Sequence, residues 1–359
     1  MKRINNLYEQ IYSIFNLELA DQLASKGKTK TYGVVTHRAD QQMNLLKLQR
    51  MLMDKTYRTS KYQVFKVYEP KEREVYRLPY FPDRIAHHAI MNILEPIFVR
   101  SFTTDSYSCI KGMGLHKASR RLSKALKDTT FSKYCLKLDI TKFYPSVDHD
   151  ILKALLRRKF KDEDLLWLLD EIIGSADGLP IGNYLSQYLA NFYLTGLDHW
   201  LKEVKGVRYY FRYADDIVIL APDKRSLHQL RADIAEYLET HLKLQVKGNY
   251  QVFPVDSRGI DFLGYVHFPE YIWIRKTIKK NFVKAIKSGK PRSSIASYLG
   301  WTKHANCRNL ERKILHEKIQ RLQYNRKCRK LHWRENKSDQ NIKPSYHRTR
   351  VQTRPINIL

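Results

Sequence analysis

One stretch of the chain constrains both its fold and its chemistry: YFRYADDIVIL, residues 210–220, in which Asp215 and Asp216 lie between two runs of aromatic and β-branched residues. Residues of these types favour strands, so the pattern predicts a hairpin with the two aspartates at its turn. Neighbouring carboxylates repel each other, and clustering them costs free energy unless a cation neutralises them. By itself the pair is most simply interpreted as part of a turn, so its meaning depends on what lies beside it.

A second carboxylate lies at the end of another predicted strand. In YCLKLDI, residues 134–140, apolar residues alternate with Lys137 and Asp139, which is the period of a half-buried strand with its polar residues on the open face. If this strand lies beside the hairpin, Asp139 faces Asp215 and completes a three-carboxylate, all-oxygen site suited to Mg²⁺. Two such ions, roughly 3.5 to 4 Å apart, support an in-line phosphoryl transfer.

The remaining periodicities predict helices around a small amount of sheet. The predicted helices cover most of residues 1–60 with a basic turn at 25–33, then 85–97, 149–173, a stretch from about Ser186, a helix capped by Asp223, and 276–324. The predicted short strands are 250–255, 261–268 and 271–275. This order predicts an α+β fold with antiparallel strands.

The charge of the chain is strongly positive and regional. Lys and Arg outnumber Asp and Glu by 65 to 36, a formal net charge of +29 over 359 residues. Residues 275–354 alone carry 24 basic and 4 acidic side chains, a net charge of +20. A solvated basic surface would spread this excess, whereas a concentrated excess favours a polyanionic partner through counterion release. Nucleic acid is therefore the first candidate.

Several classes of protein are disfavoured by the sequence. No run of 18 or more apolar residues exists, and acidic residues interrupt the apolar pattern at the N-terminus, so we expect a cytoplasmic protein without a membrane span or signal peptide. The cysteines lie far apart and lack histidines at metal-binding spacing, so we expect incidental thiols rather than a zinc site or a disulfide framework. These cysteines are Cys109, Cys135, Cys307 and Cys328.

At this point the chain resembles the reverse transcriptases, through segments that occur in the family's order. These segments are LDITKFYPSVD, GLPIGNYLSQ, YADD, LKLQVKGN and GIDFLGYV, preceded by the finger-like RLPYFPDRIAHHAI and SFTTDSYSCIKGMGLHKA and followed by the thumb-like SYLGWTKHANCRNL. The resemblance implies a right-hand polymerase fold. Its parts are an N-terminal extension and fingers (1–130), a palm with interleaved finger elements (131–275), a helical thumb (276–324) and a basic C-terminal tail (325–359).

The resemblance also implies roles for residues of the catalytic motifs. Asp139 and Asp215 are expected to hold two Mg²⁺ ions, with Asp216 beside them and the main-chain carbonyl of Ile140 as a further ligand. Lys247 matches the lysine of the fourth motif, which is expected to protonate the departing pyrophosphate.

A second group of residues is expected to contact the nucleotide or the template. Tyr144 falls on the steric gate that excludes a ribose 2′-hydroxyl, where ordinary strand-end packing is the simpler interpretation. Arg77 and Lys111 occupy finger positions that meet template or triphosphate, and their simpler interpretation is a solvated basic side chain. The second motif adds Ile181, Gly182 and Gln187.

The second motif also indicates a branch of the family. Many reverse transcriptases have Gln before the motif glycine, whereas this chain has Ile181 before Gly182. That pattern resembles the enzymes of diversity-generating retroelements, which copy an RNA template with errors at adenines. The expected partners are then an RNA template, a DNA or RNA primer, cDNA, dNTPs and a small basic accessory protein, commonly pentameric.

Three alternatives stay open at the level of the sequence. Two are reverse transcriptases of other kinds, a retron-type enzyme and a defence-associated bacterial enzyme. The third belongs to a different class, a non-catalytic RNA-binding protein on a polymerase scaffold. The presence of Asp139, Asp215 and Asp216 together argues against the third.

Overall fold

A computed structural model of the protein describes residues 3–68 and 72–314. The helices are α1 Tyr8–Tyr12, α2 Ile14–Ser25, α3 Tyr32–Ala39, α4 Gln41–Met53, α5 Ile85–Ser101, α6 Leu115–Ala125, α7 His149–Lys159, α8 Glu163–Ile173, α9 Tyr184–Tyr193, α10 Thr195–His199, α11 Lys224–Leu242, α12 Val255–Arg258, α13 Lys276–Lys287 and α14 Arg292–Thr302. The strands are β1 Gln63–Tyr68, β2 Glu72–Arg77, β3 Tyr134–Asp139, β4 Tyr209–Tyr213, β5 Asp216–Ala221, β6 Gln251–Pro254, β7 Ile260–Phe262, β8 Tyr265–His267 and β9 Ile272–Ile274.

The described residues divide into two compact units, one ending at Trp273 and the other beginning at Ile274. The first unit contains an antiparallel four-stranded sheet in the order β4-β5-β3-β6, which we call the palm sheet. It also contains the antiparallel β1–β2 ribbon. A small sheet of order β7-β8-β9 follows. The predicted α+β class with antiparallel strands is confirmed.

The alternation predicted for β3 is confirmed by its burial, although the second face of the palm sheet is also covered in part. Leu138 and Ile217 belong to the main core on one face. On the other face Cys135 and Val218 are fully buried in a second cluster to which α6 and β7 contribute. The polar positions predicted for this face remain partly open, with 24% of the Lys137 side chain and 35% of the Asp139 side chain exposed.

Several predicted elements are confirmed with small shifts in their limits. The helix expected from about Ser186 begins two residues earlier, as α9, and Asp223 caps α11 by accepting a hydrogen bond of 2.7 Å from the Ser226 main-chain N–H. The predicted helical region 149–173 consists of α7 and α8. Side-chain caps and apolar periodicity are local signals, so they locate these helices well.

The prediction was wrong for residues 261–268, which form a hairpin rather than one strand. Leu263 and Gly264 adopt positive φ angles of 52° and 83° and connect β7 to β8 as a two-residue turn, with Phe262 opposite Tyr265. Positive φ at both central positions gives the twist that suits a tight hairpin. Leucine is an unusual residue for such a position, so the turn was not recognisable from its composition.

One ribbon in the first unit was not expected from the sequence patterns. The β1–β2 ribbon was not predicted, and most of its residues are exposed. In the second unit, α13 and α14 lie within the predicted thumb, and Phe282 stacks on Tyr298 with ring centroids 5.4 Å apart. Residues 315–324 of the predicted thumb and the predicted tail at 325–359 lie outside the described residues. No helix among the described residues has the length and apolar character needed to span a membrane.

Candidate active site

The turn of the β4–β5 hairpin brings the aspartates together. Tyr213 pairs with Asp216, which leaves Ala214 and Asp215 as a two-residue turn, and Ala214 adopts a φ of 53°. In the neighbouring pair of strands, Asp139 at the end of β3 lies directly opposite Asp216. The strand order therefore places Asp139 beside the hairpin, with Asp216 as its partner in the strand register.

Asp215 and Asp139 are electrostatically coupled. Burial, a hydrogen bond to Asp139 and repulsion from the charge of Asp139 raise the pKa of Asp215 from its usual 3.8 to about 6, and Asp216 adds to the increase. A proton between the two carboxylates relieves this repulsion, and so does a cation. The pair is therefore arranged to take up positive charge.

Two lysines already supply part of that charge. Lys247 Nζ lies 2.5 Å from Asp139 Oδ2, and the Lys247 main-chain N–H donates to the Asp139 carbonyl over 2.9 Å. Lys137 Nζ lies 3.7 Å from Asp216 Oδ1 and also donates to the main-chain carbonyl of Asp261. Lys247 thus lies beside Asp139, Asp215 and Asp216, which we call the aspartate cluster. Lys137 was not singled out by the sequence.

The main-chain carbonyl of Ile140 faces the hairpin. Thr141 N–H donates to Gln245 O and Lys247 N–H donates to Asp139 O, each over 2.9 Å, so these two residues turn their polar groups towards the 245–247 segment. Successive residues of an extended chain direct their polar groups to opposite edges. The Ile140 carbonyl therefore points to the edge on which β5 lies.

A divalent cation fits the chemistry of this donor set. Carboxylate and carbonyl oxygens are the ligands that Mg²⁺ prefers, and Asp139, Asp215 and the Ile140 carbonyl supply them. Within residues 3–68 and 72–314 no group of three His, Cys, Asp or Glu side chains is arranged as a complete metal site, so the three-carboxylate site stays a prediction. Lys247 contacts Asp139, and Lys137 lies within ion-pair distance of Asp216, so an ammonium group stands beside each of these carboxylates.

Tyr144 lies in a short 3₁₀ turn next to the carboxylates. Burial raises the pKa of its hydroxyl, and the charges of Cys109 and Asp215 add to this increase. The turn is held by the Leu179 N–H, which donates to the Tyr144 carbonyl over 2.8 Å. Gly178 has a φ of 58°, and a Cβ there would lie 2.6 Å from that carbonyl, so only glycine allows this approach.

The loop that carries Ile181 and Gly182 is joined to β2 through main-chain atoms. The Tyr76 N–H donates to the Ile181 carbonyl over 2.8 Å. Gly182 has a φ of 122°, and a Cβ at this position would lie 2.4 Å from the Tyr76 carbonyl. The residue after Tyr76 is Arg77, so the loop and the predicted finger arginine belong to one local assembly. Gln187 is exposed on α9.

Arg77 is part of a group of basic side chains, which we call the finger cations: Lys28, Arg77 and Arg84. Burial lowers the pKa of Arg84, and the charge of Arg77 lowers it further. Burial and then the charge of Arg84 lower the pKa of Lys28. None of the three has a carboxylate within ion-pair distance among the described residues, so the group is prepared for an anion. Lys111 is exposed in the turn before α6.

A buried network beneath the hairpin was missed by the sequence analysis. Arg212 is fully buried, and its Nε and Nη2 contact the two carboxylate oxygens of Asp198 over 2.6 and 2.5 Å. The Tyr210 hydroxyl donates to the same carboxylate over 2.6 Å. Arg212 Nη1 donates to the Asn191 side chain and to the Ala214 carbonyl in the turn, over 3.1 and 3.2 Å. The signal in the sequence that could have revealed this network is a charged residue, Arg212, within a run of apolar strand residues.

Comparisons with known proteins find similar sequences among bacterial proteins. The chain is 25% identical over 248 residues to Protein YkfC of Escherichia coli, covering 56% of this chain and 65% of that protein. It is 22% identical over 300 residues to the group II intron-encoded protein LtrA of Lactococcus lactis, covering 75% of this chain and 49% of that protein. The chain thus spans less than two thirds of each of these relatives.

Solved structures of telomerase also resemble the chain. Telomerase from Candida tropicalis, in complex with a TWJ fragment of telomeric RNA, is 10% identical with a TM-score of 0.47, covering 71% of this chain and 56% of that one. More decisive is a family model, described as reverse transcriptase (RNA-dependent DNA polymerase), that matches residues 69–267. This match covers more than half of the chain, includes the aspartate pair and assigns the polymerase fold. The chain belongs to the reverse transcriptase family.

Proposed function

We propose that the protein is an RNA-directed DNA polymerase that extends a DNA or RNA primer into cDNA along an RNA template. The observation that carries the proposal is the coupled pair Asp139 and Asp215, whose mutual repulsion calls for a cation where two strand ends meet. Family membership supplies the class of reaction. Two bound Mg²⁺ ions would activate the attacking 3′-oxygen and stabilise the charge on the leaving pyrophosphate.

The side chains of this site have separate tasks in the proposed reaction. Asp139, Asp215 and the Ile140 carbonyl would hold the metals, with Asp216 beside them. Lys247, already next to Asp139, is placed to donate its ammonium proton to the pyrophosphate oxygen as that group leaves.

The nucleotide is positioned by groups on either side of the carboxylates. The finger cations offer three positive charges to the triphosphate of a dNTP, and their lack of carboxylate partners among the described residues favours that role. Tyr144, beside Asp215, is proposed to exclude the ribose 2′-hydroxyl by its volume. Lys111 and Gln187, both exposed, are proposed to contact template or nucleotide.

We further propose that the enzyme belongs to a diversity-generating retroelement and copies template adenines with errors. Support comes from Ile181, which offers only apolar volume where many relatives offer the amide of Gln. A site that discriminates by apolar contact alone reaches only a modest ratio between correct and incorrect substrates. The proposed partners include the small basic accessory protein. The RNA template agrees with the description of the matching family model, an RNA-dependent DNA polymerase.

Primer extension tests the proposed reaction. Purified protein with an RNA template, an annealed primer and dNTPs is expected to make full-length cDNA when Mg²⁺ is added and none when EDTA replaces it. A protein that binds the primer–template with unchanged affinity in both conditions, yet never extends it with Mg²⁺ or Mn²⁺, would instead be a non-catalytic RNA-binding protein on the same scaffold.

The fidelity proposal predicts a change in errors for Ile181→Gln. The amide can hydrogen-bond the nascent pair or its sugar and so penalise incorrect geometry. We expect misincorporation opposite template adenine to fall several-fold, and more than opposite the other bases, with Mg²⁺ dependence unchanged. Deep sequencing of cDNA from one template measures this. Ile181→Leu, which keeps the side chain apolar, is the control, and equal adenine error spectra for all three enzymes would exclude Ile181 from the fidelity mechanism.

A further inference from the structure

A second cationic site lies apart from the catalytic residues, in a cleft of about 870 Å³. None of its lining residues belongs to the aspartate cluster or to the finger cations. Its basic side chains, which we call the cleft cations, are Arg3, Arg100, Arg157, Arg158 and Lys159. Phe192 and Leu155 give it an apolar component.

Three parts of the chain bring the cleft cations together. Arg100 lies in the last turn of α5, and the last turn of α7 supplies three more cations. The N-terminal segment is fixed beside α7, because Ile4 N–H donates to Lys159 O and Lys161 N–H donates to Ile4 O, over 3.0 and 2.8 Å. These hydrogen bonds place Arg3 next to α7.

Most of this charge lacks a carboxylate. Arg157 pairs with Asp170, but within the part of the chain that the structure describes no carboxylate lies within ion-pair distance of the other four cations. Burial and then the charge of Arg100 lower the pKa of Lys159, so these two side chains repel each other across the cleft. The arrangement costs free energy in the absence of an anion.

His199 also lines the cleft and is paired with a carboxylate. Its Nδ1 contacts Glu203 Oε1 over 2.6 Å and its Nε2 contacts Ser101 O over 3.0 Å. Both partners are acceptors, so only the doubly protonated ring satisfies both contacts. Burial opposes protonation, but the Ser101 carbonyl and Glu203 outweigh it and raise the pKa of His199.

Part of this pattern has a structural explanation. Cations in the last turn of a helix interact favourably with its dipole, by roughly 0.3 to 1 kcal/mol each. That effect accounts for basic residues at the ends of α5 and α7, but it does not account for their convergence with Arg3 into one cleft. Convergence of like charges is unfavourable unless a polyanion bridges them, and the apolar floor suits the sugar and base of a nucleotide.

From this arrangement we infer that the cleft binds the phosphate backbone of structured RNA, as a second site distinct from the primer–template site. The charges come from three separate segments and span a volume larger than one phosphate ion needs, which favours several consecutive phosphates over a single anion. A backbone contact of this kind is independent of sequence and depends strongly on salt. It allows the enzyme to hold an RNA while its active site works on another segment.

The test uses full-length protein whose primer–template site is already saturated with a chain-terminated primer–template. A fluorescein-labelled RNA hairpin of unrelated sequence is then titrated, and its anisotropy is followed over a range of salt concentrations. The variant Arg100→Gln/Arg158→Gln/Lys159→Gln removes three cleft cations. The matched control, Lys47→Gln/Lys224→Gln/Arg225→Gln, removes three exposed charges elsewhere.

We expect the cleft variant to bind the hairpin on the order of 10 to 100-fold more weakly at 0.1 M salt, and to lower the salt slope by about 2, since each phosphate contact contributes roughly 0.7 to 0.9. Primer extension is expected to be unchanged, and the melting temperature unchanged or higher, because repulsion is relieved. The control is expected to resemble wild type. The single variant Arg158→Gln, at an exposed position, serves if the triple variant fails to fold.

Three results would overturn the inference. A lower melting temperature with unchanged RNA affinity would show that the cleft cations only stabilise helix ends. Equal loss of affinity in the cleft variant and the control would show a general charge effect. Binding of polyglutamate but not of the hairpin would identify an acidic protein as the partner. Each result is independent of the proposed polymerase activity.

Discussion

Asp215→Asn is expected to abolish DNA synthesis while leaving RNA binding intact. The substitution removes the charge of one proposed metal ligand, and metal stabilisation of a phosphoryl-transfer transition state is worth several kcal/mol, or about 10² to 10³-fold in rate. The basic surfaces of the protein are untouched. Primer extension under single-turnover conditions measures the rate, and anisotropy with labelled primer–template measures binding.

The same substitution is expected to stabilise the metal-free protein. Ionised Asp215 is disfavoured in the folded state by burial and by Asp139, so its folded pKa of about 6 lies above its usual 3.8. A carboxyl with a raised folded pKa contributes stability that is fully present below the unfolded pKa and is lost as pH rises through the folded one. Asn does not ionise, so the variant gains up to about 3 kcal/mol above pH ~6, and the gain shrinks as pH falls towards 4.

Thermal denaturation in EDTA at pH 8 and pH 4.5 measures this difference, with Asp256→Asn, at an exposed position, as the control. A variant that extends primers at a near wild-type rate would show that Asp215 is not a metal ligand. A variant that is inactive but no more stable than wild type at pH 8 would leave the ligand role in place and remove the coupling with Asp139.

Asp198→Asn is expected to produce the largest loss of stability. Asp198 and Arg212 are both fully buried, and the substitution leaves the guanidinium without its counter-charge. Removing one partner of a buried ion pair typically costs 3 to 5 kcal/mol. The expected result is a decrease of about that size in the free energy of unfolding, measured by urea denaturation, together with poor expression.

A double variant distinguishes the loss of unfolding free energy from the role of the network in the active site. Asp198→Leu/Arg212→Met replaces the pair with apolar side chains, which often restores stability. It also removes the hydrogen bond from Arg212 to the Ala214 carbonyl, so the hairpin turn is no longer held. We expect a stable protein with reduced kcat and near-normal primer–template binding. Full activity in a stable double variant would show that the network supports the fold alone.

The parts of the site that were predictable from the sequence depend on local signals. A two-residue turn between strand-forming runs and an alternating strand ending in Asp139 are patterns of adjacent residues, and the strand pairing then follows from a short list of topologies. The side chains of the finger cations were harder to assemble. Lys28 and Arg84 are 56 positions apart in the sequence, and no period connects them.

The burial of polar side chains was the second feature that could not be predicted from the sequence. Arg212 sits in an apolar strand run, and the sequence does not show that its partner is Asp198 on α10, since such pairing depends on which helix covers the sheet. Likewise, the resemblance assigned Lys247 an active-site role, but its ion pair with Asp139 follows from the bridge between Ile140 and Val246, a long-range contact. Tertiary packing, rather than propensity, determines both contacts.

The main-chain attachment of the Ile181 loop has an evolutionary consequence. The loop is held by the Ile181 carbonyl and by the absence of a side chain at Gly182, so the identity of the side chain at position 181 does not determine whether the loop forms. The formation of the loop and the proposed control of copying accuracy therefore depend on different residues. If Ile181 contributes to base selection as proposed, a lineage can change its mutation rate by single codon changes at this position, without compensating substitutions elsewhere in the protein.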